Sequence, residues 1–103
     1  MARTKICFRT LLGMALFLSA ATHAADVANG GALYQRHCIS CHGDTGFGVM
    51  PGAPDFSRGE KLFAPDSELA QSIRDGVRVM PAFDGLLTEQ EILDVVAFLR
   101  TFQ

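Results

Sequence analysis

Cys38-Ile39-Ser40-Cys41-His42 constrains this chain more than any other segment. The spacing has a chemical reason. Two thiols three apart on one helical turn can each add to a vinyl group of a single porphyrin. The residue that follows then lies beneath the ring, where its imidazole can ligate iron. This is the C-x-x-C-H attachment signature of c-type haem. A dithiol redox pair would want a βαβ setting, and no strand-rich run surrounds the motif. Tetrahedral zinc would want a second pair of ligands, and the only other cysteine is Cys7. The reading taken from the motif is one covalent haem, with Cys38 and Cys41 for attachment and His42 for iron.

Electron-carrying haems usually take a soft thioether on the opposite face. Met80, in Val79-Met80-Pro81, supplies one. Met50 also precedes a proline, but it follows His42 by only eight residues, in a stretch that must first pass the proximal side. Met80 leaves 38 residues to cross to the other face. Met80 is therefore the expected distal ligand and Met50 a packing or surface residue. His37 adjoins Cys38 on the wrong part of the turn and reads as a solvated helix histidine.

Residues 1–24 read as a cleavable secretory signal. Arg3, Lys5 and Arg9 make a positive start, an apolar run of about ten residues follows, and Ala21-Thr22-His23-Ala24 supplies the small residues for cleavage. The run is short for a bilayer core of roughly 30 Å, so no stable membrane insertion is expected, a retained anchor being the alternative. Cys7 leaves with the leader, and haem consumes the remaining two thiols, so no disulfide is expected. The remaining 79 residues, 25–103, suffice for one small domain, and a covalent haem can act as its staple. The leader takes three of the nine basic side chains and none of the eleven acidic ones. The domain then carries six against eleven, a formal charge of −5. Nucleic acid is excluded as a natural partner, and a protein with a basic docking patch is favoured.

The rest of the chain reads as all-α, since no run alternates with period two for long enough to make a sheet. Asn29 is the expected N-cap of a helix running to Cys38, with Leu33 and Tyr34 facing the core. Gly30 and Gly31 inside that helix cost about 1 kcal/mol each against alanine, and a close helix–helix contact would account for at least one. Four glycines and two prolines make 43–54 a loop. Phe56 is the expected apolar plug beyond it, and Lys61-Leu62-Phe63 a short helical turn. Asp66 is the expected N-cap of a helix with Leu69, Ala70 and Ile73 inward, ended by Gly76. A second loop over 77–85 presents Met80, which Pro81 pushes toward extended backbone. Thr88 and Glu91 form a capping box, and Ile92, Val95, Val96, Leu99 and Phe102 make the buried stripe of a last helix.

In this order of elements, residues 28–102 resemble the class I cytochrome c family, most of all its small single-haem periplasmic forms. The resemblance implies the all-α cytochrome c fold, three to four short helices around one covalently bound haem c. It implies that Cys38 and Cys41 form the thioethers, that His42 and Met80 are the axial ligands, and that the Pro54 carbonyl receives the proximal imidazole N–H. Gly30 matches the glycine that lets the first helix cross the last, and Phe98, with Val95, matches the facing aromatic patch. The chain has no Trp to donate near the haem propionates. Arg74 or Arg78 would serve there unless simply solvated, the default for each. The implied role is a monomeric periplasmic electron carrier between larger redox proteins, not an enzyme. Residues 50–60 and 92–100 look similar to small cytochromes that accompany the haem-d-type nitrite reductase of denitrifying bacteria. Two other roles stay open: haem-based peroxide or small-gas chemistry, and help in maturing another haem enzyme. For docking, the expected contact ring is Val49, Pro81, Ala82 and Phe83, rimmed by Asp44, Asp84 or Glu89.

Overall fold

Residues 27–37 open the regular structure of this computed structural model, which describes Ser19 and residues 21–103. Of the leader expected over 1–24, residues 1–18 and 20 lie outside the described residues. Helix α1 is Val27–His37 and α2 is the single turn Ile39–His42. A 3-10 turn covers Phe56–Arg58, α3 is Asp66–Asp75, α4 is Glu89–Leu99, and a second 3-10 turn covers Arg100–Phe102. Among the described residues there is no strand, only two isolated bridges, Val77 with Met80 and Asp84 with Leu87. The all-α expectation holds. No helix among the described residues is long and apolar enough to cross a membrane.

Two helix starts differ from expectation, each because the expected capping side chain is claimed by a distant partner. The N-cap of α1 is Asp26, whose carboxylate accepts the Asn29 backbone N–H at 3.0 Å. Asn29 is thus already inside the helix, and its side chain donates to Asp94 at 2.8 Å. The N-cap of α3 is Pro65, without a side-chain cap bond, and Asp66 is the first helical residue. The Asp66 carboxylate is occupied by Arg100 at 2.6 Å. By contrast Thr88 and Glu91 form both bonds of the capping box, at 3.1 and 2.8 Å.

α1 crosses α4 at Gly30. A Cβ there would lie 1.9 Å from the Asp94 carbonyl oxygen and 3.0 Å from the Val95 nitrogen, so only glycine permits this approach. One residue on, the Phe98 ring covers Gly31. Asp94 locks the crossing from within. Its carboxylate, in a residue only 3% exposed, accepts from the Asp26 backbone at 2.7 Å, from Asn29, and from Gln90 at 3.0 Å. The expected inward residues Leu33, Tyr34, Leu69, Ala70, Ile73, Ile92, Val95, Val96 and Leu99 are all buried. Phe102 is half-buried against them. Phe56 is the buried plug that was expected, and Leu62 joins the core while Phe63 is left 92% exposed.

Candidate functional site

A cavity of about 540 Å³ opens between the C-x-x-C-H turn and the loop that carries Met80. Three stretches of backbone shape it. On the first side, α1 ends at His37, and the Cys38 N–H closes onto the Tyr34 carbonyl at 2.9 Å. The chain then turns at once into α2, so Cys38 precedes that turn while Cys41 and His42 lie on it. The glycine-rich loop folds back onto the same turn. Val49 and Met50 both donate to the Cys41 carbonyl, at 3.0 and 3.1 Å, and the Tyr34 hydroxyl donates to Gly43 at 2.6 Å.

The opposite wall hangs from α3. The Phe83 N–H donates to Ile73 and the Asp84 N–H to Arg74, at 3.0 and 3.1 Å, using carbonyls that the last turn of a helix leaves without partners. Between these anchors the chain reverses at Gly76, φ 76°, where a Cβ would meet the Met80 carbonyl oxygen at 2.6 Å. A tight turn follows, in which Val77 and Met80 exchange backbone hydrogen bonds of 3.1 and 2.9 Å. Leu69, Ile73, Val95 and Leu99 make the apolar back of the cavity.

Cys38, Cys41, His42, Pro54 and Met80 all line this one cavity. Neither Cys38 nor Cys41 is in a disulfide. Burial, with Cys41 adding to it, pushes the Cys38 thiol up to about 11, so it stays protonated at neutral pH. Burial also lowers the His42 pKa, which favours a neutral imidazole with a lone pair to give. His42 Nδ1 is buried without a hydrogen-bond partner, although its ring stacks on Phe56 at 4.8 Å. A buried polar atom left unmatched is rare and costly, and here it sits on the imidazole that a haem iron would need. Paired thiols, a neutral imidazole, a thioether and an apolar back wall are a donor set that fits haem. Among the described residues no cluster of His, Cys, Asp and Glu would hold a bare metal ion.

Both methionines line the cavity, but they differ in setting. Met80 packs against the hydrophobic core, whereas Met50 is 39% exposed at the rim. His37 is not simply solvated. It is half-buried, lines the cavity and meets the Phe83 ring edge-on at 6.1 Å. Phe83, expected in an exposed docking ring, is buried at 6%, because its backbone is tied to α3 and its ring turned inward. Val49, Pro81 and Ala82 are exposed. Arg74, a candidate for the propionates, is instead held by Glu89 at 2.7 and 2.6 Å. Glu89 stays exposed within that pair. Two cavity residues, Lys61 and Arg78, have a left-handed backbone that nothing in their residue types announces.

The matches to known proteins point to the same cofactor. Residues 25–99 match the family of cytochrome c oxidase, cbb3-type, subunit III. The chain is 35% identical over 92 residues to cytochrome c6 of Thermostichus vulcanus, covering 85% of this chain and 82% of that protein. The chain belongs to the class I c-type cytochromes. Cytochrome c6 of a Nostoc species is 31% identical over 102 residues, 92% of this cytochrome and 90% of the relative. A cbb3-type cytochrome c oxidase subunit CcoP of an Azospirillum species is 30% identical over 88 residues, 78% of this chain but 30% of that longer protein. The cytochrome carries one covalently attached haem c and is a single-haem electron carrier. When bound, the haem supplies one-electron chemistry; the protein supplies ligands, orientation and a water-poor pocket.

Proposed function

We propose that Cys38 and Cys41 form the thioethers, that His42 and Met80 are the axial ligands, and that the cytochrome shuttles electrons between larger redox proteins in the periplasm. The observation that carries this reading is the convergence of these four side chains on one cavity, with His42 Nδ1 buried and unpartnered. With iron on Nε2, Nδ1–H would be free to donate; the Pro54 carbonyl expected to receive it lines the same cavity but makes no hydrogen bond to Nδ1 in this structure. Such a bond would fix the ring and raise its basicity. His/Met ligation favours a higher potential and little ligand movement on electron transfer.

Residues 1–24 are removed on export, leaving the domain 25–103. Its formal charge of −5 suits a partner with a basic patch around its electron-entry site. The haem-d-type nitrite reductase of denitrification is the acceptor proposed from the likeness of residues 50–60 and 92–100. The kinship with an oxidase subunit makes a terminal oxidase the competing acceptor. Stopped-flow mixing of the reduced cytochrome with each enzyme decides between them. Saturating, salt-sensitive oxidation by the nitrite reductase is the expected result. Fast oxidation by the oxidase alone would reassign the acceptor. A ferric spectrum that is high-spin at neutral pH would replace the carrier by peroxide or gas chemistry.

A further inference from the structure

Among the described residues, two that are not glycine sit in the left-handed region of backbone space: Lys61 at φ 66° and Arg78 at φ 54°. That region crowds Cβ against the following carbonyl, and neither side chain is of the short polar type that offsets the cost locally. Both are cations, and both line the haem cavity. They come from separate segments, one beyond the first 3-10 turn and one in the tight turn that presents Met80. Neither is in an ion pair; the pairs among the described residues are Arg74 with Glu89 and Arg100 with Asp66. Glu68 is the single acidic residue on the cavity wall.

Strain of this kind persists only where the surroundings over-determine it. Here they do. The Arg100 guanidinium donates to the carbonyls of Leu62 and, at 2.7 Å, Ala64, which pins the segment directly after Lys61. The Ala64 N–H closes onto Lys61 itself at 3.2 Å. Arg78 is enclosed by the two-way hydrogen bonding of Val77 and Met80. The fold thus maintains two unfavourable backbone conformations, and each places a cation on the same cavity.

We propose that Lys61 and Arg78 form a two-armed clamp for the two propionate carboxylates of the bound haem. This inference rests on the haem site described above. A carboxylate drawn into an apolar cavity requires a cation or several donors. The chain has no Trp to donate, and Arg74 is committed to Glu89. Arg78 offers a planar fork that can grip one carboxylate with two bonds, while Lys61 acts as a point charge on the other.

The test uses the holoprotein with K61Q, R78Q and, as a control of equal charge change, R58Q. Arg58 is exposed and does not line the cavity. Removing a cation beside a propionate leaves its negative charge to favour the ferric state, so the reduction potential falls. K61Q and R78Q should each lower it several-fold more than R58Q does, because the interaction decays with distance and dielectric. The propionate bending bands in the resonance Raman spectrum should shift in both variants and stay in place in R58Q. R78K, which keeps the charge but not the fork, should fall between R78Q and the parent. If one Gln variant yields no holoprotein, the other carries the test. Shifts in K61Q and R78Q no larger than in R58Q, with unmoved propionate bands, overturn the clamp. Failure of the parent chain to retain haem under denaturation would instead overturn the attachment reading.

Discussion

Met80 and Met50 reach the same cavity, and their difference lies in packing. Met80 rests on the core in a turn closed by two hydrogen bonds, while Met50 is 39% exposed. A ligand held by its surroundings need not be ordered on binding. On the proposed ligation, Met80→Ala should abolish the weak sulfur-to-iron charge-transfer band and admit exogenous ligands. Met50→Ala should leave both properties unchanged. Absorption spectra with and without imidazole check this, and the reverse pattern would exchange the two assignments. Asp94 is a second residue whose setting decides its chemistry. Burial pushes its carboxyl up, but donors from Asp26, Asn29 and Gln90 more than offset this and leave its pKa below the ordinary value. A depressed folded-state pKa stabilises the fold above the unfolded value of about 3.9 and loses that contribution as pH falls through the folded value. Asp94→Asn should therefore cost about 1–3 kcal/mol at neutral pH and flatten the acid limb of the stability curve. Thermal melts from neutral pH to pH about 3 check both, and an unchanged acid limb would remove Asp94 from the account.

At the scale of elements, the α1–α4 crossing sets two effects against each other at Gly30. Alanine would favour the helix by about 1 kcal/mol through propensity. Its Cβ, however, would fall 1.9 Å from the Asp94 carbonyl oxygen, backbone that cannot turn aside. Overpacking of this sort costs about 1–3 kcal/mol, so the steric term wins. Gly30→Ala should lower the denaturation midpoint of the holoprotein, while Ala32→Gly, at an exposed position of the same helix, should cost only the propensity difference. Equal losses in the two would mean that the crossing is looser than the distances state. The Met80 loop is likewise held by an element, the C-terminal turn of α3, whose spare carbonyls receive Phe83 and Asp84.

For the whole molecule, charge and the haem staple matter most. The domain 25–103 buries few large side chains outright, and haem would complete its core across the 540 Å³ cavity. The double change Cys38→Ala, Cys41→Ala should leave a largely unfolded chain, read by circular dichroism; a fully helical, cooperatively melting product would show that haem is not the staple. Docking belongs to the same scale. Electron-transfer interfaces are small, often below about 1,200 Å², and their rates follow charge complementarity more than area. Pro81 and Ala82 are exposed next to Met80 and Val49 is exposed beside the Cys41 turn, with Asp44 and Asp84 as exposed acids for the proposed rim. Oxidation by the true partner should slow as salt rises from low to physiological, where screening shortens to roughly 8 Å. A rate that rises with salt would mean an acidic partner.

Local chemistry made much of this protein legible without coordinates. The C-x-x-C-H run implies haem because thiol addition and iron ligation demand that spacing. The capping box at Thr88 and the 92–99 stripe define α4 because both signals lie within a few residues of chain. The helix starts at Asp26 and Pro65 were not legible, since the side chains of Asn29 and Asp66 are claimed by Asp94 and Arg100, 65 and 34 residues away. Nor was the inward turn of Phe83, which follows from a backbone bond to Ile73. Residue type alone leaves Lys61 an ordinary surface cation and does not choose between Arg74 and Arg78 for the propionates, because a left-handed φ has no signature in either residue type. Short-range covalent and capping chemistry is written in the order of residues. Which distant groups compete for each donor, acceptor and cavity wall is decided only when the chain closes on itself.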